Sequence, residues 1–159
     1  MKLKALFVGA FASALMAAPA IAEITVHDAY ARSATPNAKT GAAFMVIENT
    51  GDADDRLVAV RSEAAVRVEL HTHIDQGGGV MKMTEVEEGF VIPAGGKHML
   101  ARGGDHVMFM GLKSPFVQDE TVSVTLVFET AGETVIEIPV DLERKPKHGM
   151  GHNHMNHDN

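Results

Sequence analysis

The stretch T-V-S-V-T-L-V-F-E-T-A-G-E-T-V-I-E-I-P-V-D-L, residues 121–142, decides the fold. Val122, Val124, Leu126 and Phe128 fall at every second position, so they share one face of an extended strand, and that face is expected to be core. Ala131-Gly132-Glu133 supplies a turn, and Thr134–Leu142 returns as a second strand. Working outward, the same short Val-, Ile-, Thr- and Phe-rich segments recur between Gly, Pro, Asn and Asp clusters. Strands are predicted at Ile24–Ala31, Ala42–Glu48, Arg56–Ser62, Arg67–His73, Val80–Val86, Lys97–Ala101, His106–Leu112, Thr121–Glu129 and Thr134–Leu142. Turns fall at Thr35-Pro36-Asn37, Asn49–Asp52, Gln76–Gly79, Pro93–Gly96 and Gly103–Asp105. Such spacing, with few helical stretches, predicts an all-β sandwich or barrel.

The N-terminus reads differently. Met1-Lys2-Leu3-Lys4 is positive, an apolar run follows from Ala5 to Ala18, and Ala20-Ile21-Ala22 has the small-x-small form of a secretory cleavage site. Residues 1–22 are therefore expected to be a signal peptide cleaved after Ala22, since the apolar run is shorter than the ~20 residues that span a bilayer. No later segment is apolar for long enough to span. Export to the periplasm is the expected localisation. Cleavage removes Lys2 and Lys4 and takes the formal charge from −7 to about −9, a balance that disfavours nucleic acid and fits an ordinary solvated acidic surface.

The chain has no cysteine. That excludes disulfides, a thiolate nucleophile and a His2Cys blue-copper centre. There is also no serine elbow, paired-carboxylate motif or H-E-x-x-H, so an enzyme is not expected.

What remains is a pattern of soft and borderline donors: His71, Met83, His106 and Met108 fall as H-x11-M-x22-H-x-M. Thioether sulfur carries no proton and favours Cu(I) over harder divalent ions. His106 and Met108 lie two apart on a predicted strand and so share a face, while His71 and Met83 flank a Gly-rich hairpin. Four donors would then converge from two hairpins. Taken singly, a methionine is an ordinary core filler and a strand histidine an ordinary surface or hydrogen-bonded group. Met81, Met110 and His73 share faces with the principal donors, and each is either packing or a transient ligand. His98 and Met99 open the next strand. His27 has no identifiable partner in the sequence.

The segments Val68-Glu69-Leu70-His71, Gly79-Val80-Met81-Lys82-Met83, Ile92–Gly96, Gly103–Leu112 and Val124–Phe128 together resemble the periplasmic copper chaperone family PCu(A)C. The likeness covers most of the expected domain, residues 23–143. It implies a cupredoxin-like Greek-key β-sandwich that binds Cu(I) at an exposed site through His71, Met83, His106 and Met108. It also implies delivery of the metal to the copper centres of cytochrome c oxidase, either to an oxidase subunit or through another periplasmic copper chaperone. Thr72 departs from the family pattern, which often has Met directly after the first His.

From Arg144 the composition changes. Residues 144–159 have almost no core-forming side chain, and His148, Met150, His152, His154, Met155 and His157 crowd the end. This segment is expected to be a flexible tail, either a solubilising spacer or, as in some members of the resembled family, a Cu(II)-capturing extension. The rival functional reading is a periplasmic copper or zinc buffer or resistance protein without a dedicated recipient; a plain β-sandwich adhesion module is a third.

Overall fold

The structure is a computed structural model and describes residues 24–145. The expected leader and nearly all of the His/Met-rich tail lie outside them. Among the described residues there are ten strands and no helix. The strands are β1 (Ile24–Ser33), β2 (Thr40–Asn49), β3 (Asp55–Arg61), β4 (Ala65–Asp75), β5 (Met81–Glu85), β6 (Phe90–Ile92), β7 (Lys97–Leu100), β8 (His106–Leu112), β9 (Thr121–Phe128) and β10 (Gly132–Pro139). All nine predicted strands are present. The tenth, β6, escapes periodicity because three residues offer too little alternation between the Gly89 and Pro93 turns.

The strands form two sheets, ordered β1-β2-β8-β4-β5, with β7 also on β2, and β10-β9-β3-β6. This is the cupredoxin-like Greek-key sandwich that the resemblance implied. The core between the sheets takes Ala43, Met45 and Ile47 from β2, Val107 and Phe109 from β8, and Leu57, Val124 and Leu126 from the opposing sheet. Val122, Val124, Leu126 and Phe128 are all buried, as their alternation requires.

Two buried polar side chains fix loop ends. Asn49 donates to the carbonyls of Ala53 (2.8 Å) and Ile92 (3.1 Å) and accepts from the Gly51 amide (2.9 Å). Asp55 accepts from the amides of Arg56, Thr130 and Ala131 at 2.7, 2.9 and 2.9 Å. With their hydrogen bonds made, burial of these groups is tolerable.

One irregularity shapes the functional face. Residues 40–43 of β2 pair with β8, and residues 45–48 of the same strand pair with β7. Strands β7 and β8 thus run end to end along one edge of β2, separated by an excursion over residues 101–105. His106 and Met108 therefore do not belong to a hairpin of their own, contrary to expectation. Their neighbours are β2 and β4, both distant in sequence. Phe44, the β2 residue between the two pairings, sits opposite the excursion.

At the C-terminal end, Asp141 donates to the Ala31 carbonyl (2.8 Å). Arg144 is ion-paired with Asp28, and its guanidinium stands 4.1 Å above the Tyr30 ring centroid. The folded body therefore reaches Arg144, one residue into the segment whose composition marked it as tail.

Gly89 holds φ +71°, and a Cβ there would lie 2.0 Å from the Leu57 carbonyl oxygen. Left-handed backbone and backbone overlap act together, so Gly89→Ala is expected to lower unfolding free energy by about 3 kcal/mol or more, read from urea denaturation midpoints.

Candidate metal centre

Paired residues of an antiparallel ladder point to the same side. His71 pairs with His106 and Glu69 with Met108 across β4 and β8. His73 pairs with Met83 and His71 with Glu85 across β4 and β5, and Ala42 pairs with Met108 across β2 and β8. Leu70 and Val107, one residue over, face the core. The four motif donors therefore all lie on the outer face of the larger sheet. The register gives Met83 a different partner from the one the motif suggests, since His73 stands directly opposite it.

This outer face is not an ordinary solvated one. Tyr30 and Phe44 are buried there with ring centroids 5.2 Å apart, and Phe44 lies 6.1 Å from His106. His106 is only 2% exposed. Its ring centroid is 5.1 Å from that of His73 and 5.9 Å from that of His71. Met83 remains open to solvent at 42%, so the centre combines one buried imidazole with an accessible thioether rather than being exposed throughout.

Each of the three imidazoles has one nitrogen fixed as a donor. The Nδ1–H groups of His73 and His106 both donate to the Gly104 carbonyl, at 3.1 and 2.9 Å. His71 donates through Nε2 to Glu69 at 2.9 Å, and Glu69 is also ion-paired with Arg67 at 2.8 Å. Carbonyl and carboxylate oxygens can only accept here, which sets the tautomers: Nε2 of His73, Nε2 of His106 and Nδ1 of His71 carry the lone pairs. Such outer hydrogen bonds are what metal-ligating histidines ordinarily make. The Nδ1 of His71 is buried with no hydrogen-bond partner, alone among the described side chains. A buried unsatisfied nitrogen costs ~1–3 kcal/mol, and a soft cation would satisfy it.

His73, Met83, His106 and Met108 line a cavity of about 490 Å³ together with Phe44 and Arg102. His71 is not part of its wall. Among the described residues, no three His, Asp or Glu side chains are gathered closely enough to hold a metal alone. Met83 and Met108 add thioethers on the same face as the imidazoles, and imidazole with thioether is a soft donor set that suits Cu(I).

The other candidates are accounted for. Met110 Sδ lies 3.5 Å from Arg67 Nη2, and Met81 is exposed near the hairpin tip. His98 bonds Asp105 at 3.0 Å and stacks on Phe90 at 4.9 Å. His27 does have a partner, Glu48 at 3.0 Å, supplied by the neighbouring strand β2. Glu69, Phe44 and the Gly104 carbonyl were not singled out from sequence, although Glu69 lies two residues before His71 and so shares its face. His148, Met150, His152, His154, Met155 and His157 lie outside the described residues.

Burial lowers the His106 pKa from 6.5, and the adjacent His73 and His71 push the same way; the Gly104 carbonyl and Asp105 oppose them. The unfolded chain then takes up this proton at higher pH than the folded one. Stability from His106 is therefore fully present above pH 6.5 and lost as pH falls through the lower folded value. The metal-free protein is expected to show a falling urea midpoint from pH 7.5 to about 5.5, and His106→Leu a flatter profile over that window.

A family model described as LpqE-like, a lipoprotein family, matches residues 24–140. A protein of Leifsonia xyli subsp. xyli named as a lipoprotein is 39% identical over 99 residues, which cover 62% of this chain and 59% of that protein. The match thus spans about three fifths of that relative's length. Among solved structures, the Cu(I) form of DR1885 from Deinococcus radiodurans superposes with TM-score 0.60 at 31% identity, covering 81% of this chain and 83% of that one. The apo PCuAC domain from PmoF1 gives TM-score 0.62 at 27% identity, covering 77% and 96%. The copper-bound PCuAC domain from PmoF2 gives 0.62 at 24% identity over 80% and 99%, a likeness of fold.

Proposed function

The chain belongs to the LpqE-like family, whose model matches most of it, and we propose that it is an exported copper chaperone. Cu(I) is held by His71, Met83, His106 and Met108 and passed on by ligand exchange. The observation that carries this reading is the buried, partnerless Nδ1 of His71 on the same sheet face as His106 and two thioethers. The copper-bound PCuAC domain from PmoF2 and the Cu(I) form of DR1885 share the fold. The copper ion is cargo, so the chemistry asked of the chain is coordination and release.

The donor arrangement suits release. His106 and His71 have their rings fixed by Gly104 and Glu69, so they bind with little rearrangement. Met83 stands on β5, the last strand of its sheet, and is accessible to an incoming ligand. Displacement of Met83 first, through a mixed-ligand intermediate, gives a path out that leaves the imidazoles in place. The recipient we assign is a cytochrome c oxidase copper centre, reached directly or through another chaperone. We place the protein in the periplasm after cleavage at Ala22.

The tail is proposed to collect Cu(II), which prefers nitrogen and oxygen donors. Arg144 leaves the folded body against Tyr30, and the Tyr30, Phe44 and His106 rings follow one another across the sheet. Arg144, the last described residue but one, thus lies on the sheet face that carries the proposed Cu(I) ligands.

Four measurements test these readings. His106→Ala is expected to weaken Cu(I) binding by about 100-fold in anaerobic competition with a chromophoric chelator, and X-ray absorption of the loaded wild type to show sulfur beside imidazole nitrogen. Nitrogen-only coordination would refute the His2Met2 set. Copper that loads correctly yet never reaches an apo oxidase domain would favour the buffer reading instead. For the tail, a chain ending at Lys145 should lose the Cu(II) paramagnetic resonance signal of the full chain; a retained signal removes the tail from the scheme.

A further inference from the structure

The register of β4 against β5 and β8 gives the cavity a histidine that the sequence motif does not name. We propose that His73 is itself a copper ligand, the β4 imidazole that meets the metal on the cavity side. This deepens the copper reading above and rests on it.

Three observations carry the assignment. The cavity wall contains His73, Met83, His106 and Met108, whereas His71 lies outside it. Met83 is the cross-strand partner of His73, while His71 is paired with Glu85. Directly opposite residues have their Cβ atoms about 5 Å apart, the separation from which an imidazole and a thioether reach one ion. His73 and His106 also share a single anchor, since both Nδ1–H groups donate to the Gly104 carbonyl. Both rings therefore keep Nε2 as the free lone pair.

Ring spacing agrees. Two imidazoles bound at about 2 Å to one ion with a near-tetrahedral angle have centroids roughly 5 Å apart. The His73–His106 separation is 5.1 Å, and the His71–His106 separation is longer at 5.9 Å. His73 with His106 is thus the better-poised pair before metal arrives. His71 has its Nε2 held by Glu69 and lies outside the cavity wall. A metal arriving through the cavity meets His73 and Met83 together, and a partner withdrawing it faces the same two groups.

A purely packing role for His73 is the competing account, because its ring lies against that of His106. The two differ at one atom. In uniformly 15N-labelled full chain titrated anaerobically with Cu(I), long-range proton–nitrogen correlations report each imidazole nitrogen separately. The proposal expects the His73 Nε2 resonance to move with that of His106 as the first equivalent binds. It also expects His73→Gln, whose side-chain amide keeps a donor for Gly104, to raise the buffered Cu(I) concentration that half-saturates His106 by about tenfold or more. If His106 Nε2 and the Met83 and Met108 methyls respond while His73 Nε2 stays at its metal-free position, the inference is overturned and the copper reading stands, whatever the midpoint in His73→Gln. If none of these groups responds, the copper reading fails and takes the inference with it.

Discussion

A single backbone carbonyl organises the outer face of this sandwich. Gly104 accepts from two imidazoles, one on β4 and one on β8, using both of its lone pairs. That one oxygen fixes two tautomers, sets two rings 5.1 Å apart, and turns both Nε2 atoms away from the backbone. The carbonyl is available because β7 and β8 break their shared run along β2, which frees residues 101–105 from ladder pairing. A continuous strand would have spent this oxygen on a neighbouring amide.

The consequence for electrostatics is a nitrogen-rich patch in which the most buried group has its charged form disfavoured. His106 sits under Phe44 and beside two other imidazoles; burial and these neighbours each oppose protonation. Glu69 supplies compensating negative charge on the same face but is shared between Arg67 and His71. The thioethers add donors without adding charge or any need for deprotonation. A soft cation therefore meets lone pairs that are already oriented.

Much of this architecture is written in local periodicity. Eight alternating residues from Thr121 to Phe128 are enough to identify β9 and its buried face, and the His106–Met108 spacing is enough to put both donors on one side of β8. Non-local choices are harder. Nothing within residues 97–112 says that both β7 and β8 lie along the same edge of β2, so the expected second hairpin was wrong. Nor does the interval between His71 and Met83 disclose that Met83 stands opposite His73, because a hairpin's register depends on how the Gly77-Gly78-Gly79 turn closes. The partner of His27 was hidden for the same reason, since Glu48 arrives from an adjacent strand. Phe90–Ile92 is too short to show a period at all.

The interleaving of β8 between β2 and β4 also governs when the donors can meet. The β4–β5 hairpin is local in the chain and gathers His71, His73 and Met83 by itself, but His106 and Met108 join only after β8 has docked between strands that precede it by some 30 to 70 residues. Sheet pairings of that sequence separation close late and slowly during folding. A chain emerging from a ribosome, or threading a translocation pore in extended form, therefore holds at most the β4–β5 side chains together, without His106 and Met108. On the copper reading proposed above, metal selection by this face is deferred until the whole sandwich has folded.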